Sequence, residues 1–108
     1  MFKTLVFTAT YNESENIKEF IDEVFSKNNN IDLLIIDDKS PDKTYEIVSN
    51  LTNQNKNIHL IVRDEKLGLN TAHILAYDYA IKNNYGKLVT LDADLSHDPK
   101  EIEYMVSL

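Results

Sequence analysis

The sequence predicts an α/β domain, a Rossmann-like parallel sheet built from alternating β-α units, and three observations predict it. Four short runs of β-branched and aliphatic residues have the length and near-continuous apolar character of buried parallel strands. Helical spacing fills the stretches between them. A polar cluster follows each run, where an open α/β sheet gathers its ligand-binding loops.

The first run is Leu5-Val6-Phe7. After it, Ile17, Phe20, Ile21, Val24 and Phe25 repeat at i, i+3, i+4, i+7 and i+8, which places them on one face of a helix. Asn12 with Glu15 resembles a capping box at its start, and Asn28-Asn29-Asn30 reads as the loop beyond its end. Leu33-Leu34-Ile35-Ile36 is the second strand, and Ser40-Pro41 reads as an N-cap followed by an N1 proline. The helix opened there turns Thr44, Ile47, Val48 and Leu51 inward. Ile58-His59-Leu60-Ile61-Val62 is the third strand. A third helix is expected from about Leu69 to Asn83, with Ala72, Leu75, Ala76, Tyr79 and Ala80 as its buried side. Leu88-Val89-Thr90-Leu91 is the fourth strand, and Asp98-Pro99 predicts a fourth helix carrying Ile102, Met105 and Val106. Strict alternation of this kind implies parallel strands, right-handed crossovers and helices on the sheet faces.

Bulk properties narrow the classes. A chain of 108 residues with 43% hydrophobic and 27% charged residues suits one small globular domain. No apolar run approaches the roughly 20 residues of a membrane-spanning helix, and Met1-Phe2-Lys3-Thr4-Leu5 lacks a signal-peptide layout. Without cysteine, disulfides and thiolate metal sites are excluded, and a reducing, cytoplasmic compartment is compatible. A formal charge of −7 argues against a nucleic-acid partner. It leaves room for a single nucleotide, which a cation, local basic residues and helix N-termini can hold.

The polar clusters are Thr10-Tyr11-Asn12-Glu13, Asp37-Asp38-Lys39-Ser40, Arg63-Asp64-Glu65-Lys66 and Asp92-Ala93-Asp94. All follow strands, so all share one sheet edge. In extended backbone, Asp92 and Asp94 point the same way. Two carboxylates facing one point are unfavourable without a cation or proton, and hard oxygen ligands suit Mg²⁺ or Mn²⁺. Taken alone, Asp-x-Asp is better explained by a solvated acidic loop or by Asp94 capping a helix. Of Asp37 and Asp38, one could bind a base N–H or ribose hydroxyls while the other ties down its loop through Ser40 or Thr44. Tyr11 is a stacking or a packing residue. Arg63 and Lys66 either reach a diphosphate or solvate a loop. Gly68 supplies a turn. His97 has no second histidine at ligand spacing and is read as a cap or a support to the acidic motif. No chemistry is assigned to His59 or His73.

Taken together and in order, Thr8-Ala9-Thr10-Tyr11-Asn12-Glu13, Ile35-Ile36-Asp37-Asp38-Lys39-Ser40-Pro41-Asp42-Lys43-Thr44, Lys66-Leu67-Gly68-Leu69-Asn70-Thr71-Ala72 and Leu91-Asp92-Ala93-Asp94-Leu95-Ser96-His97-Asp98-Pro99 resemble a family 2 glycosyltransferase of the GT-A fold. The branch most similar is that of the dolichol-phosphate mannosyltransferases and other polyprenol-phosphate glycosyltransferases. The resemblance spans essentially the whole chain. It implies inverting transfer from GDP-mannose or a related sugar nucleotide to a polyprenyl phosphate acceptor. It implies that Ala9, Tyr11, Glu13, Ile36 and Asp38 line the nucleotide pocket, and that Asp92, Ala93 and Asp94 contact the donor. Asp94 would be the main Mg²⁺ or Mn²⁺ ligand, with Asp92 beside it, and Ser96 falls where another ligating side chain can stand. An acceptor phosphate is already anionic, so no catalytic base is assigned.

The chain departs from the family pattern at Ala9, where proline is usual, at Lys39 and Lys43, where glycine or asparagine is common, and at Asn70. Family catalytic domains are about twice as long, so residues 1–108 are expected to be the nucleotide-sugar-binding portion of such a domain. That portion would act at the cytoplasmic face of a membrane, with membrane association supplied by chain beyond Leu108. The competing expectations are a non-catalytic nucleotide- and metal-binding fragment, and a receiver-type signalling domain.

Overall fold

The computed structural model describes residues 3–27, 30–65 and 67–91, and the backbone of residues 104–107. Chain order is β1 (Thr4–Thr10), α1 (Ile17–Lys27), β2 (Ile31–Asp37), α2 (Thr44–Thr52), β3 (Ile58–Val62), α3 (Leu69–Lys82), β4 (Lys87–Thr90) and β5 (Tyr104–Ser107). All four expected strands and the first three expected helices form where the apolar patterns place them. The sheet order is β3-β2-β1-β4-β5. β1 pairs in parallel with β2 and β4, and β2 with β3.

One element differs. Instead of a fourth helix at Met105 and Val106, residues 104–107 form β5, antiparallel to β4, with Leu88 opposite Val106 and Val89 opposite Met105. Helical spacing of apolar residues over so short a stretch does not distinguish a helix from a strand. A free sheet edge beside β4 presents unpaired N–H and C=O groups that a strand satisfies. Asp98, Pro99 and Ile102 lie outside the described residues.

Alternation along each strand sends side chains to two cores. Val6, Leu33, Ile35, Val89 and Leu91 join Ile17, Phe20, Ile21 and Val24 of α1 and Val48 of α2 on one face. Leu5, Phe7, Leu34, Ile36 and Leu88 join Ala72, Ala76 and Ala80 of α3 on the other. The three alanines, spaced at i, i+4 and i+8 and fully buried, let the α3 backbone lie close over β1 and β2. With α1 and α2 on one face and α3 crossing on the other, β4 lands on the far side of β1. The chain therefore reverses direction around β1, where an open α/β sheet forms its binding crevice.

The opposite sheet edge is locked by Asp32. Its carboxylate accepts from Tyr85 Oη at 2.5 Å and Lys3 Nζ at 3.3 Å, and lies 3.3 Å from His59 Nε2. Burial pushes the Asp32 carboxyl up, but the hydrogen bonds from Tyr85, Lys3 and His59 outweigh it and leave it below the usual range. Burial, then the bond to Asp32, pushes the Tyr85 phenol up. His59, assigned no chemistry from sequence, helps to fasten β2 and β3 at the edge away from the loops described next.

Candidate functional site

Three segments at the carboxyl ends of β1, β2 and β3, together with the start of α3, enclose an open-mouthed cavity of about 240 Å³. Ala9, Thr10, Tyr11, Glu13, Asp38, Arg63, Gly68 and Leu69 line it. Of the residues expected to hold a nucleotide, the fold thus brings Ala9, Tyr11, Glu13 and Asp38 to one place. Ile36 is only 1% exposed and sits opposite Ala9 across the β1–β2 pairing. It packs in the α3-side core and is not among the lining residues. Asp92, Ala93, Asp94, Ser96, His97 and Lys66 lie outside the described residues. Leu91 is described: it is buried, and its N–H donates to Phe7 O at 3.1 Å. The chain therefore leaves β4 at the same edge as the cavity.

The β1–α1 and β2–α2 loops are stitched together by side chains. Asp37, fully buried, accepts from Thr10 Oγ1 at 2.6 Å, Ser40 Oγ at 2.6 Å and Ser40 N at 2.9 Å. Ser40 Oγ in turn accepts the Asn12 N–H at 3.0 Å. Asp42 accepts from Thr44 N and Thr44 Oγ1 with one oxygen and from Ser14 N with the other, and Thr44 Oγ1 accepts the Glu13 N–H at 3.0 Å. Burial works against the Asp42 carboxylate, but the bonds from Thr44 and Ser14 prevail and hold its pKa at about 2.

These contacts correct two expected caps. Asn12, at φ 60°, does not cap α1: its Oδ1 accepts from Asp42 N at 3.3 Å. α1 instead opens through a turn in which Asn16 N and Ile17 N donate to Glu13 O. Ser40-Pro41 does not open α2 either, because the Ser40 hydroxyl is held by Asp37. α2 begins at Thr44, whose N–H is capped by Asp42, with Lys43 in the left-handed region before it.

Asp38 and Arg63 form the charged wall of the cavity. Arg63 Nε donates to Asp38 Oδ1 at 2.5 Å and Nη2 to Oδ2 at 2.9 Å, a two-pronged pairing whose side chains are about 10% exposed. Leu67 N donates to the same Oδ2 at 3.1 Å. Arg63 also donates to Thr71 Oγ1 at 2.8 Å and Gly68 O at 3.2 Å. Gly68 stands at φ 93°, ψ 159°, a conformation open essentially to glycine alone, and turns the chain into α3. Thr10 stands in the polar cluster that the sequence places at this edge, whereas Leu69, which lines the cavity, and Thr71, which reaches it through Arg63, were given no separate role. The Asp42-x-Thr44 spacing carries a local turn pattern that could have been read. The pairing of Asp38 with Arg63 joins residues 25 apart and has no local pattern.

Comparison with known proteins meets this geometry. The family model described as glycosyl transferase family 2 matches residues 5–108. The chain belongs to glycosyl transferase family 2. Within the family it is 33% identical over 105 residues to the polyprenol monophosphomannose synthase of Mycolicibacterium smegmatis, covering 96% of this chain and 40% of that protein. It is 31% identical over 106 residues to the dolichol-phosphate mannosyltransferase of Pyrococcus furiosus, covering 96% of this chain and 29% of that one. The chain thus spans well under half the length of these relatives. Two solved structures share the fold, each at a TM-score of 0.70. One is the mannosyltransferase PcManGT of Pyrobaculum calidifontis, solved with GDP-Man and Mn²⁺, 22% identical over 86% of this chain and 28% of that one. The other is S. aureus TarS 1-349 with UDP, 23% identical over 85% and 27%. The sheet with its alternating helices is therefore the N-terminal region of a GT-A fold. The receiver-type reading falls with this match. The structure adds a reason: Asp37 is sealed by Thr10 and Ser40 and offers no exposed carboxylate.

Proposed function

We propose that this chain forms the donor-binding portion of a glycosyltransferase that moves a sugar, mannose by the likeness to its relatives, from a nucleotide-sugar donor to a polyprenyl phosphate. The observation that carries the reading is the cavity itself. Loops from three adjacent parallel strands and the start of α3 converge there, at the edge where open α/β sheets bind nucleotides. Tyr11, 37% exposed and lining the cavity, is the residue assigned to stack on a base, and Asp38 is assigned to its N–H groups or to ribose hydroxyls.

The diphosphate needs positive charge that the described lining does not supply. Its charged members are Glu13, Asp38 and Arg63, and Arg63 is paired with Asp38. Asp92 and Asp94 supply hard oxygen donors, the set that Mg²⁺ or Mn²⁺ takes. In sequence they come directly after Leu91, so they are the residues that would hold such an ion. When bound, the ion would neutralise the leaving nucleoside diphosphate. This chain's own residues then hold the base and ribose against β1 and β2 and keep the loops in register. In the transfer, an acceptor phosphate oxygen bonds to the anomeric carbon as the bond to the diphosphate breaks. The acceptor oxygen is already anionic, so no general base is required. The location we propose is the cytoplasmic face of a membrane, where a polyprenyl phosphate is held. Among the described residues, no helix is long and apolar enough to cross a membrane.

The test is thermal unfolding of the chain with GDP or UDP, with and without Mn²⁺. A rise in melting temperature that needs the metal and disappears in Asp94→Ala supports the donor site. No stabilisation by any nucleoside diphosphate with metal would sink it.

A further inference from the structure

Arg63 lines the cavity, and a guanidinium beside a nucleotide invites assignment as the phosphate ligand. Its hydrogen bonds argue otherwise. Of the five N–H donors of a guanidinium, four are engaged: two by Asp38, one by Thr71 Oγ1 and one by Gly68 O. One Nη1–H is left, so the two-pronged phosphate contact that favours arginine over lysine is not available. Its charge is matched by Asp38 in a pair whose side chains are only 11% and 10% exposed.

The same bonds constrain both sides of the cavity. A carboxylate has about four acceptor positions. Oδ2 of Asp38 takes Arg63 Nη2 and Leu67 N, and Oδ1 takes Arg63 Nε. One position on Oδ1 remains for a ligand. On the other side, Thr71 Oγ1 receives Arg63 and lies within hydrogen-bond reach of Leu67 O and Gly68 O, at 3.0 and 2.9 Å. The turn that carries Gly68 and Leu69 is thus closed into a ring with Asp38 through Arg63.

We propose that Arg63 is a positioning residue of the nucleotide subsite. It orients Asp38 so that one oxygen faces the base or ribose, it holds the Leu67–Thr71 turn as the facing wall, and it does not contact the phosphates. The inference rests on the nucleotide-binding reading above and assigns Arg63 to its nucleoside end.

Equilibrium titrations of the full chain with three probes test it: guanosine or uridine alone, the matching nucleoside diphosphate with Mn²⁺, and inorganic pyrophosphate with Mn²⁺. Arg63→Gln is expected to weaken nucleoside and nucleoside diphosphate by the same factor, about tenfold, the scale of one lost charge-assisted hydrogen bond. Pyrophosphate binding stays unchanged. Arg63→Lys keeps the charge without the fork and shows the same pattern. Thr71→Val removes one arm, leaves the Asp38 fork intact, and shows the pattern in weaker form, about two- to threefold; it carries the test if the Arg63 variants do not fold. A loss confined to the diphosphate and pyrophosphate makes Arg63 a phosphate ligand and overturns the proposal. Equal loss of all three probes in a folded variant marks a purely structural role and also overturns it. A wild-type chain that binds no probe overturns the nucleotide reading, and this inference with it.

Discussion

Asp37 is the acid on which the loops at the cavity edge depend, and its removal has a calculable cost. Asp37→Ala leaves three donors without their acceptor: Thr10 Oγ1, Ser40 Oγ and Ser40 N. Thr10 and Ser40 are 3% and 2% exposed, so water does not replace the lost bonds without rearrangement. Each orphaned buried donor costs about 1–3 kcal/mol. Removing a buried carboxylate also relieves part of its desolvation penalty, which holds the total to the low end of the summed range, about 3–4 kcal/mol. That is a large share of the roughly 5–15 kcal/mol of a whole domain. For a chain of this size it lowers the melting temperature by about 15–25 °C. Urea unfolding followed by circular dichroism measures it. The decisive arm is a double-mutant cycle with Thr10→Val. In the wild-type background that change removes a hydrogen bond to a charged acceptor and costs about 1.5 kcal/mol. In the Asp37→Ala background it removes an already orphaned hydroxyl, and costs nothing or restores about 1 kcal/mol. Costs that simply add, within about 0.5 kcal/mol, would show that the hub does not exist as described, as would a loss below about 1 kcal/mol for Asp37→Ala.

Lys43 precedes α2 at φ 63°, ψ 35°, where a side chain costs roughly 1–2 kcal/mol that glycine avoids at the expense of greater unfolded-state entropy. Lys43→Gly is therefore expected to stabilise by about 0.5–1 kcal/mol in urea unfolding, and a destabilised variant contradicts the assigned backbone. Gly68→Ala meets no atom within 4 Å but forces a side chain onto φ +93°; a loss of about 1–3 kcal/mol is expected, with weakened nucleotide binding because Gly68 lines the cavity. The Asp42 pKa of about 2 lies below the roughly 3.9 of an unfolded chain, so its contribution is fully present above about pH 4 and fades as pH falls through 2. The stability gap between wild type and Asp42→Asn should close over that interval, and a gap that persists to pH 2 or closes above about pH 5 contradicts the loop contacts.

What was legible in the sequence follows from which forces are local. The strands of the two-sided core show as continuous apolar runs because both faces of β1, β2 and β4 are covered. α3 shows because its buried alanines recur at i+4. The helix starts differ from expectation because Ser40 and Asn12 are good caps in isolation, whereas here Asp37, three residues before Ser40, and Asp42, on the neighbouring loop, take them as partners. β5 was misread because four residues do not establish a period, and its formation depends on pairing with β4. The departures at Lys39 and Lys43 are now placed: both residues have positive φ, 48° and 63°, where glycine or asparagine is more easily accommodated. The convergence of Ala9, Tyr11, Glu13 and Asp38 was readable from the rule that strand carboxyl ends share an edge. The Arg63 ring was not, since it closes through residues brought together only by the sheet.

The carboxylates at this edge therefore divide by task. The repulsion argument for a cation concerned Asp92 and Asp94, and the acids in and after β2 are accounted for without one. Asp37 is satisfied by hydroxyls and an N–H, Asp38 by Arg63 and Leu67, and Asp42 by Thr44 and Ser14. Each of these negative charges is already stabilised by donors of the chain itself, so none requires a metal to be tolerated. The repulsion argument for a cation stays with Asp92 and Asp94. A diphosphate arriving beside Glu13 and an already neutralised Arg63 adds negative charge to an edge whose described lining has none to offset it. A nucleoside carries no such charge. The proposed donor site therefore predicts that a nucleoside binds without metal and that a nucleoside diphosphate binds only with it.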